Sequence, residues 1–405
     1  MFYPYKGPFF KESKEKPMSE LHQKYAPILR YAKGEHFFPM RVDDTLQSSS
    51  LHIKDQDTPI VPAGQLTPDH LRQHAQSPEV FLRTINTGPL TGLDVMQDWS
   101  QATIEMVYRW ATETATGWSE ELARQAYSWF SPKTKSATQL FWWNDLIAPL
   151  LENALESASG DDLPRLVLPH TTRDLAVNKY QAAKPPYSYY YRQVRDGQYL
   201  CLQYWLFYSY NDWGSSFKGM NDHEADWENM MIFFEIDTRG RPQEPPAYVT
   251  FVGHHSRITK PWDHPDVSKV GTHPIGHVGA GSHATYPQAK EYPIITLYGL
   301  TDYATADGIT IDHDDWVHRI PLDSVPWLTA YRGSWGTRFW LLLEKTTSLF
   351  KIATVATPFG FLTARAKTPE IELPGVSAPH GPMVGDAGEQ RPQWAGPAAW
   401  ADVPG

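Results

Sequence analysis

The segment SYYYRQVRDGQYLCLQYWLFYSY, residues 188 to 210, leaves the chain few ways to fold. Two aromatic, β-favouring runs flank Arg195, Asp196 and Gly197. Asp-Gly between such runs is a strong short-range signal for a β-hairpin. MMIFFEID, AYVTFVG, PIGHVG and PIITLYG follow, at intervals broken by Gly and Pro. Several short strands at that spacing predict a β-sandwich, with residues 185 to 345 as its main part.

Upstream, residues 1 to 18 are punctuated by Pro and Lys and read as an arm. Residues 19 to 65 supply the first strands. There the short apolar runs PILRY and HFFPM flank Lys33 and Gly34, which predicts a hairpin. From 66 to 158 the pattern turns helical. Thr67 and Pro68 stand at N-cap and first-turn positions, and Ile104, Val107 and Tyr108, then Leu140, Trp143, Leu146 and Leu150, recur at helical intervals, with Pro149 as a break. This is expected to be a mainly helical insertion, giving an α+β chain built on a central antiparallel β-sandwich. Residues 346 to 405 read as a helix or loop and a tail. The last thirty residues are too rich in Pro and Gly for regular structure and are expected to wrap the surface, anchored by Trp394 and Trp400.

The net charge of −10 argues against a nucleic-acid partner, because phosphate contacts need a basic face. The single cysteine, Cys201, excludes an internal disulfide and sits in an apolar run, as an inert core thiol would. No basic, then apolar, N-terminal pattern marks a secretory signal, and no segment reaches roughly 18 consecutive apolar residues. FWLLLEKTTSLFKIATVATPFGFL, at 339 to 362, is interrupted by Glu344, Lys345, Lys351 and Pro358. A soluble protein, cytoplasmic or exported without a signal, touching membranes only at their surface, is the expectation.

The chemistry concentrates in NDHEADWE, at 221 to 228, where the chain enters an apolar strand. His223, Asp226 and Glu228 offer an imidazole and two carboxylates, and period-two geometry puts Asp226 and Glu228 on one face. Crowded carboxylates repel unless a shared proton or a cation relieves them, which a divalent ion does most directly. Magnesium, calcium, manganese and zinc all suit such oxygen and nitrogen donors. A solvated acidic turn is the plain alternative. Glu224 is a candidate general base for a metal-bound water, His254 and His255 are candidate supporting groups, and IDHDDW at 311 to 316 is a second cluster of acids and histidine.

YAPILRYAKGEHFFPMRVDDTL, LQYWLFYSYNDW, NDHEADWE and GAGSHATYP, in this order, resemble landmarks of the family of vacuolar protein sorting-associated protein 62. HEADWE also resembles part of the central heptapeptide of the necrosis- and ethylene-inducing-peptide-like proteins, secreted cytolysins with a β-sandwich fold. That second resemblance implies a divalent metal on His223, Asp226 and Glu228 at the rim of a shallow pocket that receives a sugar head group. It also implies an upstream aspartate and a later histidine, for which Asp212 and His283 stand at suitable places. The chain departs from the pattern at Ala225, where the cytolysins carry a second histidine, and in lacking a disulfide pair.

Two functions follow as expectations. In one, the cation and rim recognise a polar lipid head group or a carbohydrate. In the other, the metal activates a water for hydrolysis, with Glu224, Glu228 and His283 as the groups that handle protons. Trp205, Trp213 and Trp227 are the aromatic neighbours, with Trp227 expected to face the core, away from the acids flanking it.

Overall fold

A computed structural model describes residues 20–53, 58–84, 175–180, 184–212, 223–253, 256–295, 300–336, 380–384 and 390–404. These are rich in β-structure, with a few short helices. In chain order the first strands are β1 (Ile28–Arg30), β2 (Ser50–Ile53), β3 (Val80–Arg83), β4 (Ser188–Asp196), β5 (Tyr199–Asn211), β6 (His223–Glu235), β7 (Tyr248–Gly253) and β8 (Ser256–Pro261). They continue as β9 (Lys269–Val270), β10 (His273–Val278), β11 (Thr285–Tyr286), β12 (Lys290–Ile295), β13 (Leu300–Ala304), β14 (Thr310–Ile311) and β15 (His318–Pro321).

The largest sheet runs β15-β4-β5-β6-β7-β8. Its β4–β5 hairpin closes as the Asp-Gly signal predicts, with Asp196 opposite Tyr199 and Gly197 at φ 58° in the two-residue loop between them. A positive φ at that first loop position suits the strand twist and favours glycine. A second sheet runs β11-β10-β1-β14, with β9 attached to β10. Two pairs, β12 with β13 and β2 with β3, complete the strands.

Side-chain alternation sorts the two faces of the large sheet. Leu200, Leu202, Tyr204, Leu206 and Tyr208 of β5, with Met230, Ile232 and Phe234 of β6, share one core with Leu29, Val278 and Ile311 of the second sheet. Trp205 and Phe207, with Trp227, face a different core that includes Leu71, Val80, Leu82 and Trp335. Each fully buried Leu, Ile or Phe on these faces contributes about 1.5–3 kcal/mol, which makes the register costly to slip.

Several expectations are corrected. The predicted hairpin at Lys33 and Gly34 is a turn without strand pairing across it: β1 lies between β10 and β14, so both its edges are taken. The run that follows instead docks on the large sheet, where Met40 N–H donates to the Phe207 carbonyl at 2.9 Å. The pairing is also not purely antiparallel, since β1 runs parallel to β10 and β15 parallel to β4. Parallel neighbours need long crossovers, and both pairs join segments far apart in the chain. Inside the segment expected to be helical, Pro68–Gln73 is a helix that begins at Thr67 as predicted, whereas Val80–Arg83 is a strand with alternate residues buried. Residues 85 to 158 lie outside the described residues.

The tail is not devoid of regular structure. Pro392–Ala395 and Pro397–Trp400 are short helices, each with proline at its start, where the missing N–H costs nothing. Trp394 is buried beneath the Arg192 guanidinium, 3.8 Å from the ring centroid, and Trp400 packs beside the cluster of Tyr199, Cys201 and Phe233. Burial pushes the Cys201 thiol well above its ordinary range, as befits an inert core group. No helix among the described residues is long and apolar enough to cross a membrane, and residues 339 to 362 lie outside them.

Candidate functional site

At the end of the large sheet where β5 leaves and β6 enters, Ala225 adopts φ 60°, a left-handed conformation uncommon for a residue with a side chain. The regular alternation breaks there. Tyr208 faces the core shared by the two sheets, yet Tyr210, two residues on, joins the opposite core. Glu224, paired with Tyr210 across the strands, accepts the Thr84 N–H at 3.1 Å, on the side of β2 and β3. His223 is anchored locally, its Nδ1 2.7 Å from the Ala225 carbonyl. A carbonyl only accepts, so Nδ1 carries the proton in that contact.

Asp226 and Glu228 share a face, as their spacing predicts, and Trp227 points to the other core. Asp226 Oδ2 accepts from Asn211 Nδ2 at 2.8 Å and meets His283 Nδ1 at 3.1 Å. The second nitrogen of His283 faces Glu35 Oε1 at 3.5 Å. The imidazole therefore lies between two carboxylates, hydrogen-bonded to Asp226 and close to Glu35. Burial opposes its charge, but Glu35 and Asp226 raise its pKa to about 9. Asp226 stays below the usual carboxylate range despite burial, because of the His283 hydrogen bond and the His223 charge. Glu228 goes the other way: burial first, then Asp226 and Asp302, push it well above that range.

Of the residues expected at the site, His223, Asp226, Glu228, His283 and Asp212 are all buried, and the Asp212 N–H donates to the Gly281 carbonyl at 2.9 Å, beside His283. Glu224 does not join them, because the left-handed Ala225 turns it to the other face. His283, expected as a ligand, lies between Asp226 and Glu35, with Nδ1 on Asp226. Among the described residues no three His, Cys, Asp or Glu side chains converge so as to hold a metal ion. Trp205 belongs to the opposite core and offers no platform here, while Trp213, His254 and His255 lie outside the described residues. In the second acidic cluster, His313 sits between Asp312 and Asp314, with its ring centroid 3.8 Å from that of His273.

Two carboxylates of the site were not anticipated. Glu35 comes from the segment AKGEHFFP, where its place after Lys33-Gly34 reads as an ordinary turn acid. Asp302 lies in β13, fully buried, and accepts the Tyr286 hydroxyl at 2.5 Å. An aspartate within a strand was the available signal for the second, because Asp is depleted from strands.

No protein-family model matches the sequence, so the resemblance to the vacuolar sorting family gains no support there. The comparison with curated proteins likewise gives no match. Among solved structures, the chain is similar to Necrosis and Ethylene inducing Protein 2 from the causal agent of cocoa's Witches Broom disease, with 13% identity and a TM-score of 0.22. The similarity covers 34% of this chain and 52% of that one, about half the length of the relative.

Proposed function

We propose that this end of the large sheet recognises a polar lipid head group or a carbohydrate, with a divalent cation bound by Asp212, His223, Asp226 and Glu228, in a frame of two sheets packed as a β-sandwich. One observation carries the reading: Asp226 and Glu228 lie on a single buried face with Asp302 near Glu228, and the positive charge of His283 is engaged by Asp226 and Glu35. Carboxylates in that density favour a further cation, which lowers their mutual repulsion. His223 directs its Nδ1 proton at the Ala225 carbonyl, an orienting bond of the kind that metal-binding histidines commonly make. Side chains must turn toward a common point for all four to reach one ion.

Metal-dependent hydrolysis is the second reading. It is favoured by the contrast between Asp226, whose ionised form His283 and Asn211 favour, and Glu228, whose neutral form burial and two other carboxyls favour. Neighbouring carboxyls of opposite protonation are the ordinary equipment of acid/base chemistry.

Elemental analysis of the purified protein and its Asp226→Ala variant, with melting temperature followed with and without chelator, tests the cation. Stoichiometric metal, lost in the variant, is the expected result. Protein that takes up no metal under any loading condition would sink the proposal. Vesicles and glycan arrays applied to the loaded protein, beside generic ester and phosphate substrates, then separate recognition from hydrolysis.

A further inference from the structure

Glu35 sends both of its carboxylate oxygens into the candidate site, although it lies in the first described segment, far from every other member in the chain. Oε2 accepts the Gly281 N–H at 2.9 Å. Oε1 accepts the His36 and Phe37 N–H groups at 2.8 and 2.9 Å and faces His283 Nε2 at 3.5 Å. Its side chain is 3% exposed and that of His283 0%. Neither contact can be traded for water at little cost, and charge-assisted bonds in such a setting are the strong ones.

Each contact leads onward to a different member of the site. Gly281, held by Glu35 through its N–H, accepts the Asp212 N–H through its carbonyl. His283, whose Nε2 lies 3.5 Å from Glu35 Oε1, meets Asp226 with Nδ1. His283 itself adopts φ 57°, and the ring of Tyr208 lies parallel to its imidazole. A left-handed backbone in a residue with a side chain persists where its surroundings over-determine it, and Glu35 supplies contacts on both sides of Ser282.

We infer that Glu35 is a positioning residue of the candidate site, setting the backbone at Asp212 through Gly281 and the carboxylate of Asp226 through His283. The first segment of the chain is on this account part of the site rather than only part of the core. Its effect on cation affinity rests on the function proposed above, but its effect on the His283 ring does not.

The test compares wild-type protein with Glu35→Gln, which keeps the shape and one acceptor but removes the charge. Nitrogen-15 spectra of the histidine rings, assigned with His283→Asn, report the state of His283. Calorimetric titration with manganese and with calcium reports affinity, and circular dichroism and melting temperature report the fold. The expected result is an unchanged fold, a His283 Nε2 resonance displaced from its wild-type position, and manganese affinity lowered by about 10-fold, the low end of what a direct partner of a ligand contributes, because Glu35 acts one contact further out. Unchanged His283 resonances in Glu35→Gln overturn the inference, as does wild-type affinity for the metal. If wild-type protein binds neither ion, the proposed function fails, and the positioning role is decided by the ring resonances alone. Should Glu35→Gln not fold, Glu35→Asp, one methylene shorter, is read by the same spectra.

Discussion

The imidazole of His283 lies flat on the phenol of Tyr208, with ring centroids 3.8 Å apart and planes 3° from parallel. The Tyr208 hydroxyl meets that of Tyr31 at 3.0 Å, and both tyrosines are fully buried. The aromatic face of β5 thus sets the plane of the imidazole, while Glu35 and Asp226 set its rotation within that plane. A cation over an aromatic face is also attracted by the ring quadrupole, more so when water is excluded.

Tyr208→Ala is expected to cost about 3–5 kcal/mol, because it empties a fully buried site beneath a charged ring. Tyr208→Phe keeps the stack and is expected to cost about 1 kcal/mol, for one hydrogen bond. Urea denaturation of both variants checks this, and equal losses would show that the hydroxyl matters and the stacked face does not.

Asp226→Ala is expected to cost about 3–5 kcal/mol, since it leaves His283 with one carboxylate partner in a buried setting. Glu228→Gln should change stability by less than about 1 kcal/mol, because an amide replaces a carboxyl whose neutral form burial already favours. Denaturant midpoints measured at pH 7 distinguish them. A large loss in Glu228→Gln would mean that Glu228 is ionised and paired.

His22 provides a pH dependence away from the site. Its Nδ1 meets the Tyr189 hydroxyl at 3.0 Å and its ring stacks on Tyr191, with centroids 3.7 Å apart. Burial first, and the Arg319 charge second, lower its pKa from 6.5 to about 4. The folded state then binds fewer protons than the unfolded state between those values, so its contribution is fully present above pH 6.5 and is lost as pH falls to 4. Up to about 3 kcal/mol is at stake. Stability curves for wild-type and His22→Gln protein should converge with falling pH across that window, and parallel curves would contradict the assignment.

Gly336 packs against the start of β6, where an added Cβ would come within 2.1 Å of the Glu224 carbonyl oxygen. Backbone cannot swing aside as a flexible side chain can. Gly336→Ala is therefore expected to destabilise by about 1–3 kcal/mol or more. Thermal unfolding gives the answer, and a variant as stable as wild type would show that this contact yields readily.

Local pattern was enough to define the Asp-Gly hairpin, the strands that follow it, the helix start at Thr67, the shared face of Asp226 and Glu228 and the opposite face of Trp227. Each of these depends on neighbours in the chain, through turn chemistry or the two-residue period of a strand. The companions of Asp226 and Glu228 depended on tertiary structure. Glu35 reaches His283 because the run after β1 docks on the large sheet instead of folding back on itself, and nothing within that run encodes which edge is free. Glu224 leaves its neighbours because Ala225 is left-handed, a conformation that alanine adopts only when surrounding contacts hold it there. His283, expected as a metal ligand, stands between two carboxylates, an arrangement set by which strands and loops meet and therefore beyond the reach of spacing alone.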